Sequence, residues 1–260
     1  MRATVFALMT ALTMALGACS ATTYDVLNVG AIPPPRFGDR DPQDFARSPS
    51  TYPVHGIDVS KYQGDIDWAE ARAAGVSFAF IKATEGGDRV DDRFHEYWRA
   101  SREAGIPRSG YHFYYFCRPA IEQAQWYIRN VPRESDTLPP VLDMEWNHHS
   151  PTCQLRPSPE TVRREMRIFL GAIERHYGKR PIIYTTIDFH RQNIEGHFTD
   201  YPMWLRAVAE HPDTLYPGHD WHFWQYTGTG IVPGIDGNTD INVFRGTADQ
   251  WRAWVEDLTS

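Results

Sequence analysis

Short apolar runs alternate with longer amphipathic stretches along most of the chain. The runs His55–Val59, Phe78–Ala83, Gly110–Phe116, Pro140–Glu145 and Pro181–Thr185 have the length and residue types of buried strands. Helical spacing fills the intervals. Asp67–Ala74 and Asp91–Ala104 end at Gly75 and Gly105, and Ala120–Asn130 precedes Pro132. Pro159–Tyr177 carries the clearest signals: Ser158 as N-cap, Pro159 in the first turn, and Gly178 as the stop. Its apolar stripe Val162, Met166, Phe169, Ile173, Tyr177 reads as core. A shorter helix is expected within Asp188–Glu195.

Beyond it the alternation changes. Met203–Val208, His222–Tyr226 and Asp240–Phe244 read as strands joined by Gly- and Pro-rich loops, and Ala248–Leu258 as a closing helix. Eight strands with five crossover helices in the first part predict an α/β fold, a TIM-like barrel of the irregular (β/α)5(β)3 type in a single domain over residues 54–260.

The N-terminal residues follow a different pattern. Arg2 precedes an apolar stretch over residues 5–16, and small residues lead to Leu16-Gly17-Ala18-Cys19. This is the layout of a secretory signal over residues 1–18, too short for a comfortable membrane span. The ending resembles a bacterial lipobox, which implies lipid on Cys19 and, in a Gram-negative host, an outer membrane location facing the periplasm. Residues 19–53 hold Pro33-Pro34-Pro35, Pro42, Pro49 and Pro53 with few periodic apolar positions, and read as a tether. Export permits a disulfide, and Cys117 and Cys153 fall at the same end of a parallel barrel. A bridge and two free thiols both remain open.

Composition narrows the function. The formal net charge is −7 and no basic stripe occurs, which argues against nucleic acid as a partner. The 9 Trp among 13% aromatic residues are compatible with a sugar groove and equally with a core. The 11 His form no HExxH, and His219 and His222 lack a third ligand at a telling spacing, so no metal is expected. Neither a phosphate loop nor a GxSxG elbow is present, no cofactor is implied, and a monomer is the default.

The strongest chemical signal is Pro140-Val141-Leu142-Asp143-Met144-Glu145. Period-2 alternation puts Val141, Asp143 and Glu145 on one face, with the two acids starting ~6.5–7 Å apart at the C-terminal end of a barrel strand. Two inward carboxylates are costly unless used or paired. Glycoside hydrolysis uses such a pair, and crowding raises the pKa of one member. An Arg-paired rim is the other reading of this segment alone. Asp58 ends the first strand and Asp240 opens the last, and these strands are neighbours in a closed barrel.

Seven segments together resemble the family 25 glycoside hydrolases, the Ch-type lysozymes, from about Val54 to Phe244. They are HGIDVSKYQGDIDW (55–68), FAFIKATEG (78–86), GYHFY (110–114), VLDME (141–145), PIIYT (181–185), WQYT (224–227) and GIDGNTDINVF (234–244). The resemblance implies a muramidase that cleaves the β-1,4 bond between N-acetylmuramic acid and N-acetylglucosamine with retention. It implies Glu145 as general acid/base, Asp143 as the group that supports the cationic centre, either by direct nucleophilic attack or by orienting the substrate acetamide, and Asp58 and Asp240 as the rest of the acidic floor. Tyr184, Tyr111, Trp204 and Trp224 are expected to shape the sugar groove. The insertion 147–157, with His148, His149 and Cys153, and the lipoprotein-like N-terminus depart from the typical family member. A non-catalytic peptidoglycan-binding lipoprotein is the alternative from another class.

Overall fold

The computed structural model describes residues 31–258. The signal segment and Cys19 lie outside the described residues.

The strands are β1 (Gly38–Asp39), β2 (His55–Val59), β3 (Val76–Glu85), β4 (Arg89–Val90), β5 (Arg108–Phe113), β6 (Val141–Met144), β7 (Ile182–Thr185), β8 (Met203–Arg206), β9 (Phe223–Ile231) and β10 (Thr239–Phe244). The ring runs β2-β3-β5-β6-β7-β8-β9-β10 and closes by pairing of β10 with β2. Neighbours from β2 through β9 are parallel, whereas β10 is antiparallel to both β9 and β2. This is the single-domain eight-stranded barrel expected above.

The helices are α1 (Trp68–Ala73), α2 (Phe94–Glu103), α3 (Ala120–Asn130), α4 (Pro159–Tyr177), α5 (Ile187–Phe189), α6 (Pro212–Leu215) and α7 (Ala248–Asp257). One helix follows each of β2, β3, β5, β6 and β7. The fifth crossover is brief: α5 runs straight into a π-helical turn, His190–Ile194. Caps act where the sequence places them. Asp67 accepts from the Glu70 N–H, Ser158 from the Thr161 N–H, and Gly178 takes the left-handed conformation that ends α4.

Alternation sorts the core into two layers. Phe78, Phe80, Val141, Ile182, Trp204 and Phe223 fill the barrel interior. Ile57, Ala79, Ile81, Leu142, Met144, Ile183 and Leu205 face the helices. Gly56 leaves room for this filling, because a Cβ there would sit 2.5 Å from the Phe78 ring. Trp251 and Val255 of α7 pack onto Phe78, Phe223 and Phe244 and plug the N-terminal end of the barrel. The opposite end is therefore left for chemistry.

Residues 19–53 are expected above to be a tether, and here the structure differs. From about Ile32 the chain is docked on the barrel. β1 pairs with β9, and the Arg36 and Arg40 N–H groups donate to the Ala74 and Thr229 carbonyls. Phe45 packs edge-on against Trp224, and Tyr52 bonds to His211. Gly75, at φ 115°, accepts close contact from Pro35, where a side chain would clash. Prolines without apolar periodicity read as linker, but isolated aromatics between them supply the docking.

Candidate active site

The C-terminal ends of the barrel strands converge on a polar floor. Its acids come from β2 (Asp58), from β6 and the residue after it (Asp143, Glu145), and from the start of β10 (Asp240). Because β10 runs antiparallel, its first residues reach the same end at which β2 finishes. Asp240 and Asp58 are register partners across that pair. All four acids line one cavity of about 280 Å³, together with Tyr111, Tyr184, Trp204 and Arg206.

Burial dominates the electrostatics. It pushes Asp58 well above the usual carboxylate range, and the neighbouring Asp240 charge adds to this. Two hydrogen bonds oppose the shift: Gln225 Nε2 and Asn242 Nδ2 both donate to Asp58 Oδ2, at 2.8 and 2.9 Å. Asp143 is likewise pushed well up, first by burial and then by Glu145, with Lys82 pulling the other way. Burial raises Glu145 against the positive charges of Arg206 and Lys82. Asp240 is raised to about 6 by burial, with Arg206 opposing. The four acids thus hold protons more tightly than free carboxyls, and they titrate as a set.

Among the four acids, one buried oxygen has no partner within the described residues. Asp143 Oδ1 makes no hydrogen bond among the described residues, although Asp143 is 6% exposed. A desolvated carboxyl oxygen without a donor is costly, so it fits a substrate N–H arriving at that point.

The aromatic candidates divide. Tyr184 lines the cavity and donates its hydroxyl to Gln225 Oε1 at 3.0 Å. Trp204 lies beneath it, 4.4 Å from both the Tyr184 and Phe80 rings, and its Nε1–H donates to Asn242 Oδ1. Tyr111 borders the same space. Trp224 does not. Its side chain leaves the opposite face of β9, is 0% exposed, and donates to the Ala207 carbonyl among Phe45, Tyr52, Trp221 and His211. The expectation that it shapes the groove is corrected: Gln225, one residue on, points inward instead.

Several inward residues went unread in the sequence. Lys82, Arg206, Gln225 and Asn242 each occupy an inward-facing strand position at or just below the acidic end of the barrel. Extending the alternation from Phe80, Trp204, Phe223 and Asp240 by two residues would have found them. Lys82 is held by Glu85 at 2.7 Å, which also accepts from the Tyr115 hydroxyl at 2.6 Å. Tyr62, 82% exposed, stands at the cavity mouth. Cys117 and Cys153 are joined in a disulfide, Cα–Cα 5.8 Å, which fastens the insertion 147–157 to the segment after β5 beside this end of the barrel.

A closed α/β barrel with clustered, proton-retaining carboxyls at the C-terminal ends of its strands defines a class of enzyme built for acid/base work. The comparisons supply the family. The sequence profile of Glycosyl hydrolases family 25 matches residues 57–235. The uncharacterized protein YegX of Escherichia coli (strain K12) is 38% identical over 229 residues, spanning 85% of this chain and 81% of that protein. Lysozyme M1 of Streptomyces globisporus is 36% identical over 210 residues, spanning 75% of this chain and 69% of that one. The family 25 glycosyl hydrolase from Bacillus anthracis superposes with a TM-score of 0.73 at 32% identity, over 83% of this chain and 98% of the other. The chain belongs to Glycosyl hydrolases family 25 and is a glycosidase.

Proposed function

We propose that this protein is an exported muramidase acting on peptidoglycan, cleaving the β-1,4 bond between N-acetylmuramic acid and N-acetylglucosamine with retention. The observation that carries the reading is the unpartnered Asp143 Oδ1 beside Glu145 in a cavity floored by four acids. An N-acetylated sugar brings an amide N–H that satisfies this oxygen. The relatives named lysozyme support the choice of polymer.

In this mechanism Glu145, whose hold on its proton is strengthened by burial, gives that proton to the glycosidic oxygen as the bond from that oxygen to the sugar's C1 breaks. The acetamide carbonyl oxygen of the same sugar closes on C1, and Asp143 holds the acetamide N–H and balances the positive charge. The fragment beyond the bond leaves. A water then attacks C1 from the vacated side and returns its proton to Glu145 as the bond from C1 to the acetamide oxygen breaks, which regenerates the acetamide and restores the starting configuration. Asp58, fixed by Gln225 and Asn242, faces Asp240 beneath the sugar ring, and the negative charge the pair carries once a proton is lost lies under the cationic centre.

The proposed setting is the cell envelope, with lipid on Cys19 as the anchor. The layout of residues 1–19 supports it.

The test is digestion of purified peptidoglycan, with mass analysis of the new reducing ends, beside the variant Glu145→Gln. Muramic reducing ends released by the wild type, with a loss of ~10²–10⁴-fold in the variant, are expected. Intact wall that retains the protein would instead favour a non-catalytic wall-binding role.

A further inference from the structure

A second cleft of about 490 Å³ adjoins the acidic cavity, and Glu145 and Arg206 line both. Its own walls include Trp146, His148 and Arg191, with Asp188 as its other acid. Arg206 ends β8 on the inward face, two residues after Trp204, so the barrel's alternation aims it at the site. Arg191 projects from the π-helical turn after α5. Both side chains are exposed, and among the described residues neither guanidinium is hydrogen-bonded or ion-paired. Two other arginines near this end are committed: Arg118 to Asp88, and Arg156 to His148 and the Trp146 ring.

Two free guanidinium groups flanking a four-acid floor have a specific use. An anionic substituent on the substrate finds no partner among the carboxyls of Asp58, Asp143, Glu145 and Asp240, so it is held beside them only where cations receive it. Guanidinium is the group best matched to a carboxylate, through paired N–H donors. Muramic acid differs from glucosamine by its 3-O-lactyl arm, which ends in a carboxyl group. That carboxyl is either free or extended by a peptide that bears carboxylates of its own.

We infer that Arg206 and Arg191 form a carboxylate-binding subsite beside Glu145, which selects glycans whose muramic residue carries an anionic arm. The inference rests on the peptidoglycan reading above and goes beyond it, because it assigns the selectivity to two residues outside the acidic floor. Arg206 touches substrate in this scheme, and its charge also acts on Glu145. The test is therefore a ratio in which any effect on Glu145 cancels.

Soluble glycan strands would be prepared with stem peptides intact and with the peptides removed to free the lactyl carboxylate. Each would also be prepared with its carboxylates converted to amides. kcat/KM is measured on all four with the full chain and with Arg206→Gln, Arg191→Gln and Arg206→Lys. The wild type should prefer a charged strand over its amidated counterpart by about tenfold or more, the size of one good charged contact. In Arg206→Gln the preference should fall to near unity. In Arg191→Gln it should shrink, and Arg206→Lys should keep part of it. The strand pair that shows the preference identifies the source: the peptide-free pair means the lactyl carboxylate, and the stem-bearing pair means a stem carboxylate. A wild type indifferent to amidation in both pairs would overturn the subsite, as would an Arg206→Gln variant that keeps the wild-type ratio. A wild type inactive on all four strands would overturn the muramidase reading instead.

Discussion

Asp58 and Asp240 stand directly opposite each other across the antiparallel pairing of β2 with β10. Like charges in that position oppose folding, and burial compounds the cost. The protein meets it by retaining protons: Asp240 titrates at about 6 and Asp58 is pushed higher than an ordinary aspartate. A carboxyl whose folded value lies above its unfolded one binds a proton in the native state first. Its stabilising contribution is complete at acid pH and is lost as pH rises through the folded value. Stability should therefore fall as pH rises from about 4 through 6. Asp240→Asn should flatten that part of the curve, read by urea unfolding at several pH values. A slope identical to wild type would remove Asp240 from the account.

Arg206 and Glu145 are coupled in the opposite sense. The guanidinium charge holds Glu145 lower than burial alone would. If Glu145 is the general acid, the basic limb of the kcat/KM profile reports its loss of a proton. Arg206→Gln removes the opposing charge, so that limb should move to higher pH. Lys82→Met should move it the same way. A limb that stays fixed in both variants would mean another group titrates there.

The separate fates of Trp224 and Tyr184 make a third expectation. Trp224 is fully buried between β9 and the docked N-terminal segment, on the strand face opposite the acidic cavity. Trp224→Ala should cost about 3–5 kcal/mol of stability, with KM of the folded enzyme unchanged. Tyr184→Phe deletes the hydroxyl that aligns Gln225 and should lower kcat/KM several-fold with little change in Tm. Thermal unfolding and kinetics on both variants check this. The reverse pattern would exchange their roles.

These contrasts show where legibility ended. Strands with a strong apolar pattern could be placed to within a few residues, and that alternation correctly set Asp143 on the inward face with Val141. It also placed Asp58 and Asp240 on adjacent strands. The WQYT segment was harder, because Trp and Gln are both plausible groove residues and the choice depends on which strand face is inward. That is fixed by Phe223 packing on Phe80, a contact between distant segments. Lys82, Arg206, Gln225 and Asn242 stand in the sequence as single polar residues on different strands. Their meaning comes from meeting one another across the barrel.

The N-terminal segment offers the sharpest test of the departure from expectation. A linker could be removed without consequence, yet residues 32–53 contribute backbone pairing to β9 and cover Trp224 with Phe45 and Tyr52. His55 is fixed through the Tyr52 carbonyl at 2.9 Å, at the start of the strand that carries Asp58. Each aromatic ring withdrawn from water is worth roughly 1.5–3 kcal/mol. A protein starting at residue 54 should therefore be less stable by at least about 3 kcal/mol than one starting at residue 31, a large part of a typical domain's margin. Urea unfolding of the two forms makes the comparison. The longer form should also be the more active near its unfolding transition, since the loss of Tyr52 frees the base of β2. Equal stability would return residues 32–53 to the role of a tether. A large loss would mean that residues 32–53 are part of the folded barrel domain.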